Sequence, residues 1–325
     1  MKIYTVLHFE LECGLSLAFI EDSNITSLKY YGLKSITPPN AIDKNTIFEA
    51  ASLSKPVFTY GVLKMVENGL IDLDTPLSDY FQYDDVKNDQ KLEFITARTV
   101  LSHATGFPNW RQNNELIIHF QPGSRFSYSG EGFVYLQKVI EKLSGQSLEE
   151  YMQKNVLSPL GMTHSSYLSR KPEDNKAYGY DSAGLLTLKA NAASSLHTTV
   201  LDYAKFIQAI IKNNGLQEKT INEMLSSQIN VEIDGPICIC VDKCTGTLSP
   251  SVSWGLGWGL QETTNGISFW HWGHNQGFQS YVAGFKNGGA ILIFTNSDNG
   301  LQAISEIICD ITGIEHPALT WLNYT

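Results

Sequence analysis

The strongest constraint on the fold is that β-type sequence patterns occupy both ends of this 325-residue chain and helical patterns occupy its middle. From Gly14 to Tyr31, apolar and polar residues alternate around a run of turn-forming residues at 21–24, which predicts a β-hairpin. Four short β-rich runs between residues 254 and 297 are separated by Gly and Asn. Apolar residues at helical spacing follow at 301–313 and predict a C-terminal helix that ends at Gly313.

The middle of the chain predicts helices. Apolar residues recur at helical spacing in six segments, several of which end in Gly: 54–69, 96–104, 130–145, 147–161, 199–215 and 217–228. The pattern favours an α+β fold, in which both termini build a mostly antiparallel sheet flanked by helices. We expect a discontinuous sheet domain (1–60 and 250–325), an inserted helical domain (61–249) and an active-site cleft between them.

Composition narrows the classes of function. The net charge of −10 argues against a nucleic-acid-binding protein, which needs a basic face. No run approaches the roughly 20 apolar residues of a membrane span. The N-terminus lacks the charged start, apolar run and cleavage site of a secretory signal, which predicts a cytoplasmic protein.

The cysteines do not predict a cofactor. Cys238, Cys240 and Cys244 form a C-x-C-x3-C motif, but a tetrahedral metal site needs a fourth ligand, and no His or Cys lies close by in the sequence. We expect free thiols on a loop, with neither metal nor cofactor.

Ser52 and Lys55 are the first candidate reacting groups. They lie three residues apart at the predicted start of a helix, so both side chains would share one face. Unpaired N–H groups at a helix start stabilise a developing oxyanion, and a desolvated lysine can accept the proton of a serine hydroxyl. Ser-x-x-Lys alone is a weak signal, because it also occurs on solvated helix surfaces.

Two further motifs make the signal specific. Tyr128-Ser129-Gly130 precedes a predicted helix, and His271-Trp272-Gly273 lies on a predicted strand. In this order and spacing, the three motifs resemble those of the serine β-lactamase and penicillin-binding-protein superfamily, and they are most similar to class C β-lactamases and family VIII carboxylesterases. The resemblance extends over nearly the whole chain, through segments such as "TARTVLSHATGFPNW", "VLSPLGMTHSSY" and "IFTNSDNG".

The resemblance implies roles for individual residues. Ser52 would be the acyl-accepting nucleophile, Lys55 its general-base partner, and Tyr128 a proton shuttle; which of Lys55 and Tyr128 is the formal base stays open. The backbone N–H groups of Ser52 and His274 would form the oxyanion hole.

The strand motif would contribute to substrate binding. His271 would contact substrate or satisfy a hydrogen bond beneath Trp272. Gly273 would keep the strand flat enough for substrate to lie along it. Strand alternation places Trp270 and Trp272 on one face and His271 on the other, unless a local bulge turns Trp272 toward substrate.

Three departures from the superfamily pattern bear on activity. Gly130 stands where the tyrosine motif ends in Asn, His271 replaces a lysine, and Trp272 replaces a Thr or Ser. These changes remove polar groups that hold an acidic β-lactam and favour a carboxylesterase acting on a small-molecule ester or amide. The alternatives are a β-lactamase, a D-amino-acid peptidase, an acyltransferase, or a non-catalytic binding protein on the same scaffold. The sequence predicts no oligomeric state.

Simpler structural roles are expected for several nearby polar and aromatic residues. His103 is expected to stabilise a turn, and Asp202 to be an acid in the first turn of a helix. Glu131 would either face the cleft or lie at a helix start. Trp254 and Trp258 are expected in the core.

Overall fold

The main sheet joins the two ends of the chain. The computed structural model describes residues 14–86, 88–169, 175–179, 189–233, 235–237 and 251–324. Eight strands form this sheet in the order β2-β1-β12-β11-β10-β9-β8-β7, and every neighbouring pair is antiparallel. The strands are β1 (Leu15–Glu21), β2 (Asn24–Tyr31), β7 (Ile229–Asn230), β8 (Val252–Trp254), β9 (Gly259–Thr263), β10 (Gly266–Asn275), β11 (Phe278–Phe285) and β12 (Ala290–Thr295).

Two small sheets lie outside the main one. Strands β3 (Leu33–Ile36) and β4 (Pro39–Ala41) pair as a hairpin. Strand β5 (Phe48–Ala51) pairs with β6 (Leu196–Thr198), and β5 also contacts β10, β11 and β12. The second pairing fixes the position of the chain immediately before Ser52.

Nine α-helices are described. They are α1 (Ser54–Glu67), α2 (Leu77–Tyr80), α3 (Ala97–Leu101), α4 (Gly130–Ser144), α5 (Leu148–Met152), α6 (Val200–Ile211), α7 (Glu218–Met224), α8 (Gly300–Thr312) and α9 (Pro317–Trp321). Short 3₁₀ segments cover Asp84–Val86 and Gln90–Phe94, and a π-helical turn, Gln153–Leu157, follows α5. Among the described residues, no helix is both long and apolar enough to cross a bilayer.

Helices cover both faces of the main sheet. Helix α6 packs on β1, β2 and β12, and the helices of the middle region share one hydrophobic core with that face. Helices α8 and α9 cover the opposite face, where a second core contains Trp254, Trp270 and Trp272. Trp258 belongs to the first core. Apolar residues on both faces of the central strands therefore become buried, which is the main driving force for this arrangement.

The predicted fold class is confirmed. The hairpin turn at Asp22 and Ser23 has the positive φ values of 48° and 63° that suit the strand twist, and left-handed Gly145 and Gly313 end α4 and α8. The division into two domains stays a prediction, and two elements from the range 61–249 contact the main sheet. Strand β7 extends its edge, and α6 packs on its face.

Candidate active site

Ser52 lies in a tight turn between strand β5 and helix α1. The sequence predicts Ser52 in the first turn of this helix, but the helix begins at Ser54. Ser52 therefore precedes the helix, and Lys55 is its second residue. Ala51 has a left-handed φ of 48°, which a residue with a Cβ rarely adopts. Ser52 is partly exposed, whereas Ala51, Leu53 and Lys55 are buried. The chain therefore presents the serine hydroxyl at the surface of an otherwise closed turn.

Buried hydroxyl groups hold the backbone of this turn. The phenol of Tyr203 donates to the carbonyl oxygen of Leu53 (3.0 Å), and the phenol of Tyr167 donates to that of Ser54 (2.8 Å). The hydroxyl of Ser54 accepts from the N–H of Leu196 (2.9 Å), which connects the turn to β6. These contacts keep the strained backbone in one conformation.

Lys55 contacts the hydroxyl of Ser52 directly. Its Nζ lies 3.1 Å from Ser52 Oγ and 2.8 Å from the carbonyl oxygen of Ala193, and only 1% of the residue is exposed. Burial lowers the pKa of the Lys55 amine well below its ordinary value. None of the described carboxylates forms an ion pair with this amine. A neutral amine at this position can accept the Ser52 proton.

Tyr128 completes the predicted group and lies among aromatic rings. Its ring is stacked on that of His103 (centroids 4.1 Å apart), its centroid is 4.8 Å from that of Trp272, and Lys55 Nζ lies 4.6 Å from it. Burial raises the pKa of the Tyr128 phenol, and an interaction with the Ser52 hydroxyl acts in the opposite direction. The phenol oxygen has no well-aligned hydrogen bond to any described group. The phenol of Tyr128 therefore lies beside the Ser52 hydroxyl without a well-aligned hydrogen bond to it.

His271 faces the reacting groups from within the protein. It is completely buried, its Nδ1 donates to the carbonyl oxygen of Trp272 (2.8 Å), and its Nε2 has no partner among the described residues. Burial, assisted by the nearby Lys55, lowers the pKa of His271 to about 3. Its predicted contact with substrate stays a prediction. His271 is a neutral neighbour of Tyr128, at a ring separation of 6.1 Å.

The bulge considered for Trp272 is not formed. Strand β10 pairs with β11 in unbroken register from Ser268 to Asn275, and Trp272 opposes Tyr281. Trp272 therefore stays on the same face as Trp270, with which it stacks (5.9 Å), and only 7% of it is exposed. The residue supports Tyr128 from the core side of the sheet.

Gly273 allows strand β10 to approach the Ser52 turn. A Cβ at this position would lie 2.3 Å from the carbonyl oxygen of Ala50, so only glycine fits without moving the strand. This close backbone contact explains why the residue is glycine, in addition to the predicted need for a strand flat enough to bind substrate. The pairing of β9 with β10 ends at Trp270, so the β10 backbone beyond it borders the turn instead of β9. The oxyanion hole formed by the N–H groups of Ser52 and His274 stays a prediction.

The carboxylate of Glu131 lies at a helix start and forms an ion pair. Glu131 belongs to the first turn of α4, is buried, and pairs with Arg111 (2.7 Å), which also pairs with Asp85. Of the two roles considered for Glu131, the structure favours the helix start. Asp202 lies in the first turn of α6 as expected, is buried, and accepts hydrogen bonds from His164 and Ser165.

Comparison with known proteins identifies the family. The sequence profile of the family described as Beta-lactamase matches residues 12–305. The chain belongs to the Beta-lactamase family. Its fold is the β-lactamase fold. The cysteine motif at 238–244 lies outside the described residues, which themselves contain no His, Cys, Asp and Glu cluster suited to a metal ion.

Two relatives of this Beta-lactamase family member show distant similarity. Penicillin-binding protein 4* of Bacillus subtilis is 28% identical over 179 residues, which cover 46% of this chain and 38% of that protein. Protein flp of Staphylococcus aureus (strain MRSA252) is 25% identical over 209 residues, which cover 56% of this chain and 41% of that protein. Each match therefore spans about two fifths of the relative's length.

Solved structures share the fold over nearly the whole chain. A penicillin-binding protein from Bacillus halodurans has a TM-score of 0.77 at 20% identity and covers 96% of this chain and 99% of its own. An octameric penicillin-binding protein homologue from Pyrococcus abyssi has a TM-score of 0.76 at 23% identity, with coverage of 97% and 77%. The D-alanine carboxypeptidase AmpC from Burkholderia cenocepacia has a TM-score of 0.73 at 16% identity, with coverage of 91% and 92%.

Two features of this family member were not predicted from its sequence. Asn109 accepts the N–H of Gly130 through both its backbone and its side-chain oxygen (both 3.0 Å), which fixes the start of α4. A Cβ at Gly130 would lie 2.7 Å from Cη2 of Trp110 and 2.9 Å from the backbone oxygen of Asn109. The indole of Trp110 therefore occupies the space that a side chain at position 130 would need. No motif in the sequence indicates this contact.

Proposed function

We propose that the protein is a carboxylesterase that cleaves an ester through an acyl-enzyme at Ser52. The observation that carries the proposal is the 3.1 Å contact between Ser52 Oγ and a buried amine, Lys55 Nζ, that forms no ion pair with a described carboxylate. Burial lowers the pKa of this amine and so increases the neutral fraction that can accept a proton, whereas an exposed lysine is already protonated. A non-catalytic binding protein would have no need for such a lysine.

Acylation uses the groups around Ser52. Lys55 takes the hydroxyl proton while Ser52 Oγ attacks the ester carbonyl carbon, and the carbonyl electrons move to the oxygen. The oxyanion rests on the N–H groups of Ser52 and His274. As the tetrahedral intermediate collapses, its bond to the leaving alkoxide breaks. Tyr128 gives that oxygen its proton and recovers one from protonated Lys55. Water attacks the acyl-enzyme through the same groups in reverse, which releases the acid.

The charges around Ser52 favour a neutral substrate. β-Lactams and peptides that end in D-alanine carry a carboxylate, which binds best to a fixed positive charge. Among the described residues, burial lowers the pKa of Lys55 and brings that of His271 to about 3, which disfavours a positive charge on either, and the guanidinium of Arg111 is paired with two carboxylates. A simple ester needs no such cation.

Apolar side chains beside the tyrosine motif favour an apolar acyl or alcohol group. Trp110 is 45% exposed and its ring lies against Gly130. Ile237 is 50% exposed, and its neighbour Pro236 accepts the N–H of Tyr128 (2.8 Å). Exposed apolar groups next to a reacting tyrosine gain free energy when an apolar substrate covers them.

Comparing three substrates tests this proposal. We expect kcat/KM for p-nitrophenyl butyrate to exceed that for nitrocefin and for a D-alanyl-D-alanine peptide by about 100-fold or more. The lack of an unpaired cation among the described residues around Ser52, together with the missing Asn amide, removes about 3 kcal/mol of binding to the β-lactam in the transition state. Equal or faster turnover of either acidic substrate would contradict the carboxylesterase proposal, and transfer of the butyryl group to an added alcohol in preference to water would indicate an acyltransferase.

The role of Trp110 can be tested by acyl-chain selectivity. We expect Trp110→Ala to reduce the preference for p-nitrophenyl butyrate over p-nitrophenyl acetate by up to about 10-fold, because two CH₂ groups are worth about 1.6 kcal/mol when buried. Ile267→Ala is the control. Ile267 is also exposed (64%), but it lies at the start of β10, away from the His271-Trp272-Gly273 motif at the end of that strand. Selectivity that is unchanged in Trp110→Ala, or reduced equally in both variants, would show that Trp110 does not contact the acyl chain.

A further inference from the structure

His103 lies closer to the ring of the reacting tyrosine, Tyr128, than the predicted site residues Lys55 and Trp272 do. It follows α3 in a turn with a left-handed φ of 56°, as a turn-stabilising residue should, and it is completely buried. Its ring is stacked on the ring of Tyr128 at a centroid distance of 4.1 Å and an interplanar angle of 29°. A residue that only stabilised its own turn would have no need of this stacking.

His103 also binds the backbone on both sides of Tyr128. Its carbonyl oxygen accepts the N–H of Ser127 (2.8 Å), and its Nδ1 accepts the N–H of Ser129 (3.0 Å). The N–H of Tyr128 itself donates to Pro236 (2.8 Å). Three consecutive amides are therefore held, two of them by one residue. This arrangement fixes the direction in which the Tyr128 side chain leaves the backbone.

The hydrogen bond to Ser129 also fixes the protonation of His103. Because Nδ1 accepts a hydrogen bond, the neutral ring carries its proton on Nε2. Nε2 is buried and makes no hydrogen bond to a described group. Burial, followed by the nearby Lys55 and His271, lowers the pKa of His103 well below its ordinary value. The residue therefore adds no positive charge beside Lys55.

We propose that His103 is a positioning residue, which holds Tyr128 in its reactive place by accepting the backbone N–H of Ser129 and stacking on the phenol ring. This inference rests on the proposed function only in assigning Tyr128 a proton-transfer role. A displacement of about 1 Å in a reacting group can reduce the rate about 100-fold. The effect of losing His103 should therefore appear in kcat, with little change in KM.

Two variants distinguish the effect of the hydrogen bond from Ser129 to His103 from the effect of filling the space of the His103 ring. His103→Asn keeps an acceptor oxygen near the position of Nδ1, and Asn tolerates a left-handed backbone. His103→Phe keeps a ring of similar size but leaves the N–H of Ser129 without an acceptor. We expect kcat for p-nitrophenyl butyrate to fall about 100-fold in His103→Phe and to stay within about 10-fold of wild type in His103→Asn. KM should change by less than about 3-fold in both variants.

A second buried histidine provides the matched control. His316 lies beside a buried tyrosine, Tyr281, at 5.8 Å between rings and 3.2 Å from Nδ1 to the phenol oxygen, but in the core next to α9. His316→Asn should lower the melting temperature without lowering kcat. If His103→Phe does not fold, His103→Ala, which also lacks the acceptor, replaces it in the comparison.

The result that overturns the inference is independent of the natural substrate. Equal loss of kcat in His103→Asn and His103→Phe, a change confined to KM, or a change in stability alone would each contradict a positioning role. If wild type hydrolyses no ester but cleaves a β-lactam or a peptide, the carboxylesterase proposal fails. The ratio of the two His103 variants, measured on that other substrate, still decides the inference.

Discussion

Ser52→Ala should reduce ester hydrolysis by more than about 10⁴-fold and abolish labelling by a fluorophosphonate probe. Without the oxygen, no acyl-enzyme forms, and only binding and oxyanion stabilisation remain to accelerate attack by water. Intact mass spectrometry of the wild type should show one added phosphonyl group, and the alanine variant should show none. An adduct that persists in Ser52→Ala would contradict the assignment of the nucleophile.

Ser54→Ala is the matched control for this experiment. Ser54 lies two residues away and is fully buried, and its hydroxyl accepts the N–H of Leu196. Its removal leaves that buried N–H unsatisfied, which lowers the free energy of unfolding by about 1–3 kcal/mol. Labelling should nevertheless persist. Comparing Ser52→Ala with Ser54→Ala therefore distinguishes loss of the nucleophile from destabilisation of the turn around it.

The sequence predicted those features of the site that local patterns determine. The helix after Ser52, the hairpin at the N-terminus and the Gly-ended helix α4 all follow from spacing and capping residues within about 20 positions. The 3.1 Å contact between Ser52 and Lys55 is likewise local, because the turn before the helix, closed by the N–H of Lys55 donating to the carbonyl oxygen of Ser52 (3.0 Å), brings the two residues together.

Other features depend on partners that are distant in the sequence. The pairing of Phe48–Ala51 with Leu196–Thr198 joins two strands of four and three residues, which are too short for a periodic signal. The carbonyl of Ala193, which accepts from Lys55, is a backbone group and has no side-chain signature. The fold brings these groups together only when the sheet and helices pack.

The burial of His271 shows the same limitation. Strand alternation correctly placed it on the face opposite Trp270 and Trp272, but alternation does not reveal what covers a face. The rings of Tyr128 (6.1 Å), Trp254 (5.7 Å) and Trp272 (5.1 Å) lie around His271, which is completely buried. His271 is thus a buried neighbour of Tyr128, and its contact with substrate stays a prediction.

Lys55→Met should reduce kcat by about 10²- to 10⁴-fold, the usual contribution of a general base. Methionine has a similar length and apolar character, so the variant should fill the same space without a proton acceptor. Lys55→Arg is the matched control, because the guanidinium remains protonated and also cannot act as a base. Both should lose activity, and a Met variant within about 10-fold of wild type would assign the base role to Tyr128 alone.

Stability should change in opposite directions in the two Lys55 variants. Burial lowers the pKa of Lys55 in the folded state below its unfolded value of 10.5, so over the pH range between these values the unfolded state binds more protons. Wild-type stability therefore rises with pH toward 10.5 and falls as pH decreases. Lys55→Met removes this dependence and should be more stable than wild type at pH 7, with a difference that shrinks toward pH 10. Lys55→Arg buries a permanent charge and should be less stable.

Denaturant unfolding at pH 7 and pH 9, combined with the pH dependence of kcat/KM, tests both consequences of the neutral amine. The same proton that destabilises the fold also inactivates the base, so the activity of wild type should increase as pH rises through the lowered pKa of Lys55. The two curves should share one apparent pKa well below 10.5. Stability that is independent of pH in wild type, together with unchanged stability in Lys55→Met, would mean that Lys55 is charged in the folded protein. A charged amine could not accept the Ser52 proton, and the proposed acylation step would fail with it.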